Sequence, residues 1–334
     1  MMKKVILLAL PVVLLALIYK AIIPPPPRTC SIAGVPSQTP KIKLRDGRYL
    51  VYKEYGVPKN IAKYNVIYVH SFGGSKFEAA YTLNSSLFKE IEELGVYLVS
   101  FDRPGYGKSD PHPESFKSLA YDIEQLVDQL ELGNKFYVVG FAMGAHFVWG
   151  CLKYIPQRLA GAALLAPAIN YWWPGFPSNL TKEAYDKQLI RDQWIYKVAY
   201  YAPWLMYWWN TQKYFPRFSV ITGEFKLSQK YLKIASSLDE MQLQQAYVTQ
   251  QGEYESLHRD LIIGFGKPEF DPMDMKNPFP NNEGNVHLWQ DLLQKKNPWI
   301  NYHELQDAGH LFPCGDDIDN IKYDIWKALL SEKI

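Results

Sequence analysis

The chain has 334 residues, 48% hydrophobic and 21% charged, a composition that suits one large globular domain or two small ones. A formal net charge of +2 leaves no electrostatic footprint for a nucleic-acid partner. The three cysteines, Cys30, Cys151 and Cys314, are too few and too scattered for a disulfide framework or a zinc site.

The N-terminus starts with Met1–Lys4, short and basic, and continues with Val5–Ile23, apolar apart from Lys20. Nineteen helical residues reach close to the roughly 30 Å of a bilayer core, and a lysine at the end can snorkel to the interface. No small-x-small cleavage signal follows cleanly, so the stretch is expected to be an uncleaved anchor rather than a signal peptide. Pro24–Pro27 then read as a stiff polyproline spacer, expected to hold the domain away from the membrane surface. Lys3 and Lys4 precede the segment and Arg28 follows it, so the positive-inside rule gives no orientation. The sequons at Asn84 and Asn179 favour a lumenal domain only weakly, because such triplets often occur by chance.

Beyond the spacer, Lys41–Leu44 and Tyr49–Tyr55 flank Asp46-Gly47, a hairpin signal. Asn65–His70, Val96–Phe101 and Lys135–Phe141 are short apolar runs that suit buried parallel strands. Ser115–Leu132 carries Leu119, Ile123, Leu126, Val127 and Leu130 at helical spacing, with Ser115 as N-cap and Gly133 as the stop. Met143–Tyr154 reads as a helix and Leu159–Leu165 as the next strand. Strands that alternate with helices mean a mostly parallel sheet covered on both faces.

From Asn170 to about Glu255 the pattern changes to polar helical segments interleaved with Trp172, Trp173, Trp194, Trp204, Trp208 and Trp209. This reads as a helical cap inserted between two sheet strands. Because Trp is highly buried on average, the aromatic cluster is expected to be the cap's own core; an apolar ceiling over a cavity, or contact with the membrane, is the other reading. Val286–Trp289 and Tyr302–Leu305 resume the sheet, and Asp317–Leu330 closes the chain as an amphipathic helix. The expected organisation is an anchor and spacer over 1–28, a core over 41–169 and 256–334, and a cap over 170–255.

The chemistry centres on Tyr137–His146, a strand that turns sharply into a helix. Gly140 and Gly144 stand at the spacing of a G-x-S-x-G nucleophile elbow, but the central residue is Ala142. Three further loops belong at carboxyl ends of strands, where ligands bind in open α/β sheets: His70–Gly74, Asp102–Ser109 and Ala308–Phe312, the last of which carries His310. No phosphate loop or dinucleotide fingerprint is present, and His70, His146, His258, His287 and His303 have no spacing that points to a metal site, so no cofactor is expected.

Ser100–Gly107, Tyr137–Gly144, Cys151–Pro156, Glu269–Asp274 and Asp307–Phe312, with the apolar leader, give the chain its resemblance to the α/β-hydrolase superfamily, and specifically to a plant branch of N-terminally anchored members. The resemblance implies an α/β-hydrolase fold with a helical cap. It also implies a serine at the elbow, an acid after a late strand, and a histidine after the last strand. On this chain those positions are Ala142, a degenerate nucleophile position, Asp291 and His310. The oxyanion hole maps to the backbone N–H groups of Phe72 and Met143.

Three departures stand against that mechanism. A methyl group at 142 can neither attack nor be deprotonated. The connection 291–300 holds ten residues where a parallel crossover takes about a dozen or more, so it reads as truncated by about a helix, and Asp291 is equally suited to N-cap Leu292. Ser71 replaces the glycine usual after the loop histidine and is expected to crowd the hole. The reading that follows is a membrane-tethered relative of serine ester or amide hydrolases without normal turnover. The alternatives are an active carboxylic-ester hydrolase, if 142 is not natively alanine or another group attacks, and a non-catalytic receptor. The aromatic cap favours small apolar acyl or carbonyl ligands over sugars.

Overall fold

The computed structural model describes residues 2–28, 39–82, 85–112, 115–222, 245–279, 284–290, 297–305, 310, 312–314 and 319–330. Its centre is an eight-stranded sheet: β1 (Lys41–Lys43), β2 (Tyr49–Gly56), β3 (Tyr64–Val69), β4 (Val96–Phe101), β5 (Phe136–Phe141), β6 (Leu159–Leu165), β7 (Asn285–Gln290) and β8 (Asn301–Glu304). The strand order is β1-β2-β4-β3-β5-β6-β7-β8. The Asp46-Gly47 hairpin joins β1 to β2 in antiparallel register, and β2 runs antiparallel to β4; every pair from β4 to β8 is parallel.

The central strands are buried along their length because helices cover both faces, which explains why they read as apolar runs rather than alternating ones. After α1 (Met2–Ile22), the covering helices are α2 (Glu78–Thr82), α3 (Ser85–Leu94), α4 (Phe116–Gln129) and α5 (Met143–Tyr154). Ser115 caps α4 as expected, its hydroxyl accepting from the Ser118 N–H while Ser118 Oγ accepts from the Ser115 N–H. One side of the sheet packs on α4 and α5 through Leu119, Ile123, Val127 and Val148; the other packs Ile91, Ile325 and Leu329 against Val66, Leu98 and Ala163. Ile325 and Leu329 belong to α12 (Asp319–Leu330), the closing helix.

The inserted region contains α6 (Ser178–Asp186), α7 (Ile190–Tyr201), α8 (Met206–Thr211), α9 (Ser219–Thr222), α10 (Gln245–Val248), a π-turn over Tyr254–His258 and α11 (Arg259–Phe265). Helical structure thus continues to Phe265, past Glu255, because α11 packs against α7.

Two expectations need correcting. The cap tryptophans are not uniformly its core: Trp173 is buried, Trp172, Trp208 and Trp209 are half-buried, and Trp194 and Trp204 are exposed. Beside the polyproline stretch, α1 packs against α8, and the Arg28 N–H donates to the Gln251 carbonyl at 3.0 Å. The ten-residue connection 291–300 does not prevent a parallel crossover, since β7 and β8 pair in parallel from His287↔Asn301 to Gln290↔Glu304. The side chains of α1 are described from Leu10 onward, and among the described residues no helix is long and apolar enough to cross a membrane.

Candidate active site

The corner between β5 and α5 has the geometry expected from its glycines. Ala142 lies between them at φ 50°, ψ −111°, a conformation that costs a residue with a Cβ about 1–3 kcal/mol. Its N–H donates to the Leu165 carbonyl at 2.9 Å, and its own carbonyl accepts from the His146 and Ala168 N–H groups, each at 3.1 Å. A Cβ at Gly140 would lie 2.6 Å from the Ala145 nitrogen, and one at Gly144 would lie 2.6 Å from the His70 carbonyl oxygen. The corner is therefore tight enough to exclude side chains at both flanks. Met143 is the first residue of α5, so its N–H has no acceptor within that helix.

His310 follows the last strand, and its ring lies 5.7 Å from the Phe141 ring, next to the corner in sequence. Protein surrounds it closely enough that desolvation lowers its pKa, favouring the neutral imidazole. The fold thus brings the His310 ring to that of the residue before the corner. Asp291 lies outside the described residues.

The first loop, after β3, carries Phe72. Its ring packs edge-on against Phe218 of the cap at 5.7 Å. Above the corner, α11 passes so close that a Cβ at Gly264 would lie 2.6 Å from Met143 Cε. The cap therefore roofs both expected oxyanion residues.

His70 has a structural part. Its Nε2 accepts from the Arg103 N–H at 3.0 Å, which puts the proton on Nδ1, 2.8 Å from the Ser71 carbonyl. Burial, aided by the Arg103 charge, holds its pKa well below the usual value. Arg103 itself makes a bidentate pair with Asp260 of α11, both bonds at 2.6 Å, and Tyr106 Oη donates to the same carboxylate at 2.6 Å. Asp102 takes bonds from Lys76 at 3.0 Å and from Tyr247 of α10 at 2.6 Å. These two buried clusters fasten the loop after β4 to the cap.

Sequence reasoning missed Glu78. This fully buried carboxylate accepts from the Ser71 N–H at 2.8 Å, from Tyr68 Oη at 3.1 Å and from the Ser71 hydroxyl. Desolvation outweighs those bonds and raises its pKa to about 7. Ser71, expected to crowd the hole, has its hydroxyl engaged by Glu78. The signal was available: Glu78 sits between Phe77 and Ala79-Ala80, and a carboxylate buried there needs partners.

The other histidines also have settled surroundings. His146 stacks on Trp173 at 4.9 Å, and its Nδ1 lies 2.7 Å from the Ala168 carbonyl; burial lowers its pKa to about 4. His258 is buried under the cap, and its pKa falls to about 3. His287 Nδ1 and His303 Nε2 lie 2.9 Å apart across β7 and β8, a pairing that spacing alone did not disclose. No group of three or more metal-ligating side chains occurs among the described residues.

Sheet order, corner and roofing cap together define an α/β-hydrolase-fold protein, and residues 64–199 match the family model described as "alpha/beta hydrolase fold". The chain has that fold. Among solved structures it resembles a hydrolase from Pseudomonas aeruginosa at 13% identity and TM-score 0.55, covering 89% of this chain and 100% of that one. It also resembles a thermophilic esterase from Thermogutta terrifontis at 16% identity and TM-score 0.56, covering 88% and 100%. An enol-lactonase from Burkholderia xenovorans follows at 15% identity and TM-score 0.55, covering 86% and 98%. At these identities the likeness is one of fold. No curated protein matches the sequence.

Proposed function

We propose that this chain is a membrane-tethered relative of serine ester or amide hydrolases that has lost triad turnover and binds a small apolar acyl or carbonyl compound beneath its cap. One observation carries this reading: Ala142 sits at φ 50° in a corner that excludes side chains at both flanks, yet it presents only a methyl group. An enzyme that loses its nucleophile retains only roughly 10³–10⁴-fold catalysis over water, from its oxyanion donors and binding. In this assignment Met143 and Phe72 supply those donors and His310 is a vestigial base. Asp291 is the acid of a shortened edge.

The esterase and enol-lactonase among the fold neighbours favour carbonyl compounds as the ligand class. Apolar contacts of the cap with Phe72 and Met143 favour a ligand without many hydroxyls. The tether and the plant-branch assignment rest on the apolar run Val5–Ile23, the motifs above, and the exposure of Leu10, Val12 and Leu15 on α1.

A fluorophosphonate probe tests the loss of turnover. The full chain is expected to stay unlabelled, and a covalent adduct on any pocket residue would sink the proposal. Binding is read by thermal shift against apolar esters and lactones, where ligand at about 100 times Kd adds roughly 2.7 kcal/mol. A flat profile across the panel removes the binding half.

A second reading has its own observation. The Ser71 hydroxyl, bonded to the buried Glu78 carboxylate, is a serine beside a base one residue from Phe72. If it is the nucleophile, probe labelling appears and vanishes in Ser71→Ala.

A further inference from the structure

A cap helix on a soluble protein should bury one face and present polar side chains on the other. Helix α7 does not. Its inner face buries Ile195, Val198 and Ala199, and its outer face carries Ile190, Trp194, Lys197 and Tyr201 at spacings of four, three and four. Trp194 is 51% exposed and Tyr201 69%. The acid of this helix, Asp192, is buried and occupied by Ser219, whose N–H and hydroxyl donate to it at 2.8 and 2.6 Å. The outer face thus keeps aromatic groups and a lysine, whose ammonium lies 5.1 Å over the Trp194 ring.

This face is continuous with a second aromatic run. Trp194 stacks on Trp209 at 6.1 Å, and Trp209 on Phe215 at 5.4 Å. Trp204 is 61% exposed, and Lys213 and Tyr214 are exposed beside Phe215. Trp208 and Trp209 belong to α8, the helix against which α1 packs. One edge of the cap therefore joins an exposed apolar helix to an exposed patch of Trp, Tyr, Phe and Lys. Tryptophan and tyrosine are the residues that prefer the headgroup level of a bilayer, and lysines there meet anionic lipid.

We propose that the outer face of α7, with Trp204 and the Lys213–Phe215 turn, rests on a bilayer interface containing anionic lipid. The protein then lies with its cap against the membrane, and apolar compounds dissolved in the lipid meet the cap first. The inference rests on the tether reading and adds to it: an anchor alone leaves the cap in water. A second copy of the chain is the rival occupant, and the test separates the two.

The experiment uses the full chain carrying Cys30→Ser and Cys314→Ser, with one labelling site added; Cys151 is buried. An NBD fluorophore is placed at Tyr201→Cys or, as a reference, at Lys182→Cys, on the exposed side of α6. Both proteins are bound to phosphatidylcholine–phosphatidylserine vesicles. At 201 the emission should shift to the blue, be quenched by nitroxide lipids and lose its quenching by iodide, while 182 should remain water-like. Water-like emission at 201 in chain that floats with vesicles overturns the cap contact and leaves the tether standing. Failure to float at all overturns the tether and the cap contact together. A blue shift at 201 without vesicles, in particles of twice the mass, assigns the face to a second copy and overturns the lipid assignment.

Discussion

The two sides of the candidate site differ in what has been kept. On the β5–α5 side the backbone is specified atom by atom: strained Ala142, two glycines without room for a Cβ, and buried charge clusters that fasten the neighbouring loops to the cap. On the β7–β8 side a four-residue strand ends the sheet after a connection of ten residues. The contrast teaches that packing alone can hold a glycine-flanked corner, whatever residue stands at its tip. Both of its glycines lie against neighbouring backbone.

The sharpest way to break this comparison is to place a hydroxyl at position 142. Ala142→Ser should gain fluorophosphonate labelling, because the corner and His310 are in place. Its turnover of short p-nitrophenyl esters should stay roughly 10⁴-fold below that of a complete triad, since the proposed acid, Asp291, stands on a shortened edge that orients His310 poorly. Full turnover would show the β7–β8 side to be competent. No labelling would show that the corner no longer presents residue 142 to the site.

Gly144→Val asks whether the corner is as tight as described. The new side chain meets the carbonyls of Val69 and His70, and the loss of stability should exceed about 4 kcal/mol in denaturant titration. A loss under about 1 kcal/mol would mean that α5 can slide and that the corner is no more rigid than the edge.

Asp260→Asn removes the partner of buried Arg103 and should cost about 3–5 kcal/mol. Hydrogen exchange should rise in the first loop, the loop after β4 and α11, while β7 and β8 stay unchanged. Equal loosening of both sides would erase the distinction drawn between them.

Glu78 gives the smallest effect, readable as pH dependence. Its folded pKa of about 7 exceeds the unfolded value of 4.5, so its contribution is fully present below pH 4.5 and lost as pH rises towards 7. The loss amounts to about 3 kcal/mol. His146 and His258 oppose it: their lowered pKa values make stability fall as pH drops below 6.5. Glu78→Gln should therefore melt with a steeper rise between pH 4.5 and 7 than the parent chain. Parallel curves would show that Glu78 is ionised throughout.

Much of the fold was legible because local rules and burial agreed. Val96–Phe101, Met143–Tyr154 and Leu159–Leu165 fall where their apolar patterns put them, and Ser115 caps its helix. The corner was legible for a similar reason: a pair of glycines four apart after an apolar strand marks a close approach of backbone. Glu78, the Arg103–Asp260 pair and the His287–His303 contact were not legible, since each joins residues distant in sequence or diagonal across strands.

By itself the sequence determined the order of strands and helices, the glycine-flanked corner and the methyl at its tip, because these depend on periodicity and on residue identity. Tertiary structure decided which tryptophans stay exposed, that the N-terminal helix lies against the cap, and that ten residues suffice to cross from β7 to β8. These depend on which surfaces meet, and a surface is defined only once the chain has packed.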